Sequence, residues 1–337
     1  MKREPMSPAN QYLRTLLRWQ GIFPALMLVG TLLVMPAAAQ LRVVATVKPV
    51  HSLVTAVADG TATTYLVVKG AASPHSYALK PSDAAALQHA EIIFRISDRF
   101  ETFLNTAIAQ VRKKALVIDL IRAKGLKTLP ARSGARWAAT HHHGSEAGHG
   151  RENGHGHGSD RREHAQPLDQ HIWLSPRNAE AIVRTIETTL ASRMPSRRAD
   201  LKRNADSVIA RIHQLAADIQ TELAPARGRP YLVYHDAFQY FERAFDLPAH
   251  GSIALGDARS PGAKRVRDLR KSITADKIVC VFTEPQFVPR LAEAIIAGTT
   301  ARIATLDPVG ARLAPGPDAY FELMRSTAKS LAGCLKR

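Results

Sequence analysis

Short apolar runs alternate with amphipathic stretches along most of the chain. Leu41–Val47 (LRVVATV), TTYLVV from Thr63, EIIFRIS from Glu91 and ALVIDL from Ala115 read as buried strands. Between them lie HSLVTAVADG, closed by Gly60, then PSDAAALQHA, with Ser82 and Asp83 as good N-cap residues, then RFETFLNTAIAQVRKK; each has helical spacing. The alternation stops from Lys127 to about Pro167, where glycine, histidine, serine and charge replace any period, so a mobile insert is expected there. A helix resumes after Pro176. It is followed by a longer helical stretch in which Leu201, Ala205, Val208, Ile212, Leu215, Ile219 and Leu223 recur at steps of three and four. That single stripe predicts a helix of ~34 Å at 1.5 Å per residue, long for a globular helix and suited to a strut between two lobes. The strand–helix pattern then returns, with YLVY, KIVCVFT and ARIATL as strands and AYFELMRSTAKSLAGCL as the last helix.

This order predicts an α/β protein: two lobes with parallel-type sheets, joined by one long helix, with the ligand site in the cleft between the lobes. The expected boundaries are 1–39 for an export signal, 40–195 for the first lobe with its histidine-rich insert at about 138–166, 196–225 for the linking helix and 226–337 for the second lobe.

The N-terminus sets the compartment. Lys2, Arg3, Arg14 and Arg18 precede the apolar run GIFPALMLVGTLLVMP, which ends in Ala37-Ala38-Ala39 before Gln40. A basic stretch, an apolar core short for a membrane span and a small-residue cleavage pattern read as a signal peptide, with an uncleaved anchor as the alternative. With 45% hydrophobic residues in 337, the chain can build real cores. Its net charge of +17 raises the question of a nucleic-acid partner. The Lys and Arg residues are scattered along helical stretches such as Lys264–Lys271 with no interleaved aromatics, so they read as a solvated basic surface and no nucleic-acid partner is expected. The two cysteines, Cys280 and Cys334, favour a disulfide in an exported chain, tying the last helix to a buried strand; two buried thiols are the alternative.

Metal chemistry is suggested by where the histidines fall. His75 follows a predicted strand in SPHSYALKPSD, His171 closes the insert in DQHIWLSP, His235 follows YLVY, and Asp307 follows ARIATL. Neutral imidazole is the commonest metal ligand, and three of them suit Zn²⁺, whereas a carboxylate-rich set would suit Mn²⁺. Seven of the fourteen histidines, His141, His142, His143, His149, His155, His157 and His164, lie among six glycines in the insert. Such a tract suggests weak auxiliary metal capture rather than a fixed tetrahedron. A zinc hydrolase would need a general base beside an open metal position, and neither HExxH nor GxSxG occurs.

Together SPHSYALKPSD, DQHIWLSP, YLVYHDAFQYFERAF, FTEPQF and TLDPVG resemble the zinc-uptake solute-binding proteins of ABC transporters, the ZnuA family, over essentially the whole mature chain. The resemblance implies a non-enzymatic periplasmic protein, a monomer, that binds Zn²⁺ as transported ligand and passes it to a membrane permease with its ATPase. By it, His75, His171 and His235 would hold the metal. Pro74 stands where some relatives carry an acidic residue, so no fourth ligand is expected from there; Asp307, where manganese-type relatives carry a ligating aspartate, is the candidate fourth ligand, with a water or an open position as the alternatives. Glu284 is expected to hold local structure. A manganese importer or a periplasmic metal buffer are the rival readings. Because each imidazole must be neutral to bind, affinity is expected to fall below pH ~6.

Overall fold

The computed structural model describes residues 40–134, 136–137, 166–254, 261–287 and 290–336. The expected signal peptide and the seven insert histidines lie outside the described residues.

Two sheets form the frame. The first contains β1 (Leu41–Ala45), β2 (Ala62–Leu66), β3 (Ile92–Arg95) and β4 (Leu116–Asp119) in the order β2-β1-β3-β4. The second contains β5 (Tyr231–Val233), β6 (Gly251–Ser252), β7 (Cys280–Thr283) and β8 (Arg302–Thr305) in the order β6-β5-β7-β8. All six pairings are parallel, so each half repeats one topology. The crossovers are helical: α1 (Lys48–Ala58), α2 (Pro81–His89) and α3 (Asn105–Val111) in the first half; α6 (Gln239–Phe245), α7 (Ala263–Ala275) and α8 (Arg290–Ile296) in the second. Between the halves run α4 (Pro176–Arg193) and α5 (Arg198–Leu223), and α9 (Ala319–Leu335) ends the chain. Among the described residues no helix is long and apolar enough to cross a membrane.

The stripe read from the sequence is the buried face of α5: Leu201, Ala205, Val208, Ile212, Leu215, Ile219 and Leu223 are all buried. Its partners are α4, α1 and α9. One hydrophobic core therefore runs from Val43 and Ile92 under the first sheet, beneath α5, to Phe241 and Phe282 under the second. The long helix joins the halves, and it is packed along its length rather than spanning open space. The disulfide Cys280–Cys334 fastens α9 to the start of β7.

Local differences from the sequence reading have physical causes. β6 has only two residues, too few to show an alternation. Gly251 lets the backbone of Arg136 pass: a Cβ there would meet the Arg136 carbonyl oxygen at 2.7 Å, and Ser252 N–H donates to that same oxygen at 3.0 Å. In α2 the first helical residue is Pro81, and Asp83 sits at the third position. Its carboxylate accepts from Lys80 N–H and from the hydroxyls of Tyr65 and Tyr77, satisfying an orphan donor of the helix end.

Candidate metal centre

Ligand sites in parallel sheets lie at the C-terminal strand ends, most often where neighbouring strands run out in opposite directions of the sheet order. In the second half that switch point falls between β5 and β7. His235 follows β5 and Glu284 follows β7, so their proximity is a consequence of topology. The Glu284 carboxylate accepts from the His235 backbone N–H at 3.3 Å and lies 2.5 Å from Nδ1 of the ring. Both side chains are buried.

His171 is held the same way from the first half. It precedes a tight turn, Ile172–Leu174, whose three side chains are fully buried. Asp169 Oδ1 accepts from His171 N–H at 3.0 Å and lies 2.9 Å from its Nδ1. Each carboxylate thus fixes one ring nitrogen, setting the ring's rotation and raising the basicity of the other nitrogen. The Nε2 atoms of His171 and His235 face one another at 3.4 Å. Two nitrogens bound tetrahedrally at about 2.05 Å from one Zn²⁺ would stand about 3.3 Å apart.

His75 lies in the loop after β2. That loop returns to α2 through Tyr77, whose hydroxyl donates to Asp83 at 2.8 Å. Burial, and then the Asp83 carboxylate, push the phenol up to about 12, so it stays a donor at neutral pH. The His75 ring meets Phe100 edge-on at 4.8 Å, with His171 at 5.6 Å and His235 at 5.8 Å between centroids. The ligand atoms of His75, His171 and His235 all lie within 4.8 Å of one another, and this is the one such group among the described residues. The pocket they line has a volume of ≈ 10 Å³, closed by Pro74, Gln286, Phe287, Pro308 and Val309: room for an ion or a water, not for an organic solute.

Asp307 stands apart from this group. Its Oδ1 accepts from Val309 N–H at 3.2 Å, and its charge faces Lys48. Lys48 is buried and donates from Nζ to the carbonyls of Gly310, Ala311 (3.1 Å) and Leu313 (2.7 Å). Burial lowers its pKa and Asp307 works against that. With Trp173 Nε1–H donating to Pro308 O at 2.8 Å, the loop after β8 is fastened to the first half. The other described histidines are elsewhere: His51 buried on α1, His89 exposed at the end of α2, His213 paired with Glu180, and His250 with Asp276.

Three contributors were not singled out from the sequence. Asp169 lay in plain view two residues before His171. Arg132 and Tyr240 gave no local signal. Arg132 grips Asp236, the residue after His235, and Glu242 on α6 (Nη1–Oε2 2.6 Å), and stacks on Trp137 at 3.4 Å. The Tyr240 hydroxyl accepts from Leu129 N–H and donates to Asp169 O, each at 3.0 Å. Since Ala131 N–H donates to Pro167 O at 2.8 Å and Asp169 N–H to Leu129 O at 2.9 Å, the two ends of the histidine insert form a paired neck anchored on the second half.

Comparison with known proteins agrees with this geometry. The family model "Zinc-uptake complex component A periplasmic" (ZnuA) matches residues 43–334. The high-affinity zinc uptake system protein ZnuA of Brucella suis is 39% identical over 307 residues, covering 88% of this chain and 92% of that protein. The Yersinia pestis protein of the same name is 32% identical over 301 residues, with 88% and 92% covered. Among solved structures, a crystal structure of ZnuA superposes with a TM-score of 0.71 at 21% identity, covering 88% of this chain and 99% of that one. The periplasmic zinc binding protein TroA of Treponema pallidum gives 0.70 at 19% identity, covering 88% and 100%. With two like parallel sheets bridged by a long helix and a histidine triad between them, the chain belongs to the ZnuA family of periplasmic zinc-uptake components, which are solute-binding transport proteins and not enzymes.

Proposed function

We propose that this protein is exported by residues 1–39, binds one Zn²⁺ as transported substrate through His75, His171 and His235, and delivers it to the permease of an ABC transporter. The observation that carries the reading is the spacing of the anchored Nε2 atoms of His171 and His235, 3.4 Å, close to the tetrahedral zinc edge of about 3.3 Å. The donor set favours zinc: three neutral imidazoles offer the metal nitrogen, while the two negative charges that balance Zn²⁺ sit one bond network further out, on Asp169 and Glu284.

His75 and His171 belong to the first half and His235 to the second, so a bound ion links the halves and selects the pose in which all three converge. The contacts of Lys48, Trp173 and the insert neck already join the halves, so small tilts and loop shifts, not a wide hinge, would accompany loading. The seven insert histidines would add weak capture outside the pocket. The test is zinc titration against a competing chelator for the mature protein and for H75A, H171A and H235A together, with the insert kept. The triple variant is expected to lose tight binding of one equivalent. Retention of that equivalent would overturn the reading.

A further inference from the structure

Three imidazoles leave one tetrahedral position open, and the carboxylates nearby are engaged. Glu284 is committed to His235 and Asp169 to His171. Asp307 is turned to Val309 N–H and Lys48. Pro74, directly before His75, has no side-chain donor. Among the described residues of the pocket wall, one buried side-chain polar atom lacks a hydrogen-bond partner. Gln286, two residues after Glu284, lines the same small pocket as the triad, and its carbonyl Oε1 is buried with no hydrogen-bond partner among the described residues. A buried amide oxygen left unpaired costs roughly 1–3 kcal/mol, and such atoms in native proteins mark an unseen donor.

We propose that Gln286 completes the metal site: zinc takes a water as its fourth ligand, and Gln286 Oε1 accepts a hydrogen bond from that water. This inference rests on the triad reading above. The chemistry suits the neutral amide. It competes poorly with water for Zn²⁺ itself, but it is a good acceptor for a water whose protons the metal has made acidic. It also adds no charge, so the ion stays balanced by Asp169 and Glu284 alone. A carboxylate at this place would make the site net negative and supply the hard oxygen that Mn²⁺ prefers. Gln286 is thus a positioning residue for the bound water and a determinant of which metal is kept.

The experiment compares the full mature protein with Gln286→Leu and Gln286→Glu, using zinc and manganese titrations and the visible absorption of the Co²⁺-loaded forms. Q286L is expected to weaken zinc about tenfold, the size seen when an outer partner of a metal ligand is removed, and to change the Co²⁺ band pattern. Q286E is expected to hold zinc at least as well as the parent and to gain Mn²⁺ affinity. A purely structural role would lower thermal stability and leave the Co²⁺ spectrum unmoved. Wild-type zinc affinity and an unaltered Co²⁺ spectrum in Q286L, with H235A still losing zinc, would overturn the role of Gln286 alone. Undiminished zinc binding in H235A would overturn the site reading and this inference with it.

Discussion

Glu284 offers the sharpest test of how the centre is built. Its Oε1 is the shared acceptor for the backbone and ring N–H of His235, and it is buried. Glu284→Ala removes that acceptor. The His235 ring is then free to rotate about its side-chain bonds, and its proton can move to the nitrogen that should face the metal. Ordering a freed ring again on binding, and losing the charge behind it, should reduce zinc affinity 10–100-fold, about 1.4–2.7 kcal/mol. Glu284→Gln keeps an acceptor oxygen of the same reach but drops the charge, so its loss should lie near the lower bound. The two variants therefore separate orientation from electrostatics. Competition of each apoprotein against a fluorescent zinc chelator at pH 7.5 measures both. Equal, undiminished affinity in the parent and the Ala variant would refute the claim that this carboxylate orients the ligand. A loss in Gln as large as in Ala would refute the claim that orientation outweighs charge.

Three further outcomes concern stability. Replacing Cys280 and Cys334 by Ser opens a loop with a sequence separation of 54 and should cost about 4 kcal/mol in the chain-entropy account, read as a lower urea midpoint; zinc affinity should hold, because Cys280 starts β7 and Glu284 follows its far end. Ile212→Ala in α5 should cost about 2–5 kcal/mol from the cavity it leaves in the shared core, with zinc stoichiometry intact; a near-neutral change would mean α5 is not packed as described. For pH, burial, helped by the Lys69 charge, pushes His51 down to about 4, so its neutral form stabilises the fold fully above about 6.5 and that contribution is lost as pH falls towards 4. Burial pushes Glu101 up to about 7, so ionisation destabilises the fold as pH rises from about 4.5 to 7. The two slopes oppose each other; apoprotein stability by urea titration should rise with pH in Glu101→Gln and fall with pH in His51→Gln, and parallel profiles in the two variants would contradict the assignment.

Much of the frame was legible in one dimension. A parallel strand reads as a continuous apolar run and a packed helix as a stripe, so seven of the strands and the buried face of α5 are visible in the hydrophobic pattern. His235, directly after the run of β5, and His75, in the loop after β2, are also visible, because a strand end in an α/β sheet is a place where ligands collect. β6 was not legible because two residues carry no period, and its pairing with β5 depends on a sheet edge that the neck of the insert also approaches.

What only the tertiary structure decided is which charges pair across long stretches of chain. Arg132 and Asp236 are 104 residues apart, and Lys48 reaches carbonyls 262–265 residues away. No local pattern encodes such pairs. That geometry leaves Asp307 outside the triad while Asp169 and Glu284 back it, and it brings Gln286 to the pocket wall. The sequence by itself determined two parallel α/β halves, a bridging helix and histidines at strand ends, since each follows from local periodicity. The choice among the nearby oxygens depends on folding, because hydrogen-bond reach is a few ångströms in space and is independent of distance along the chain.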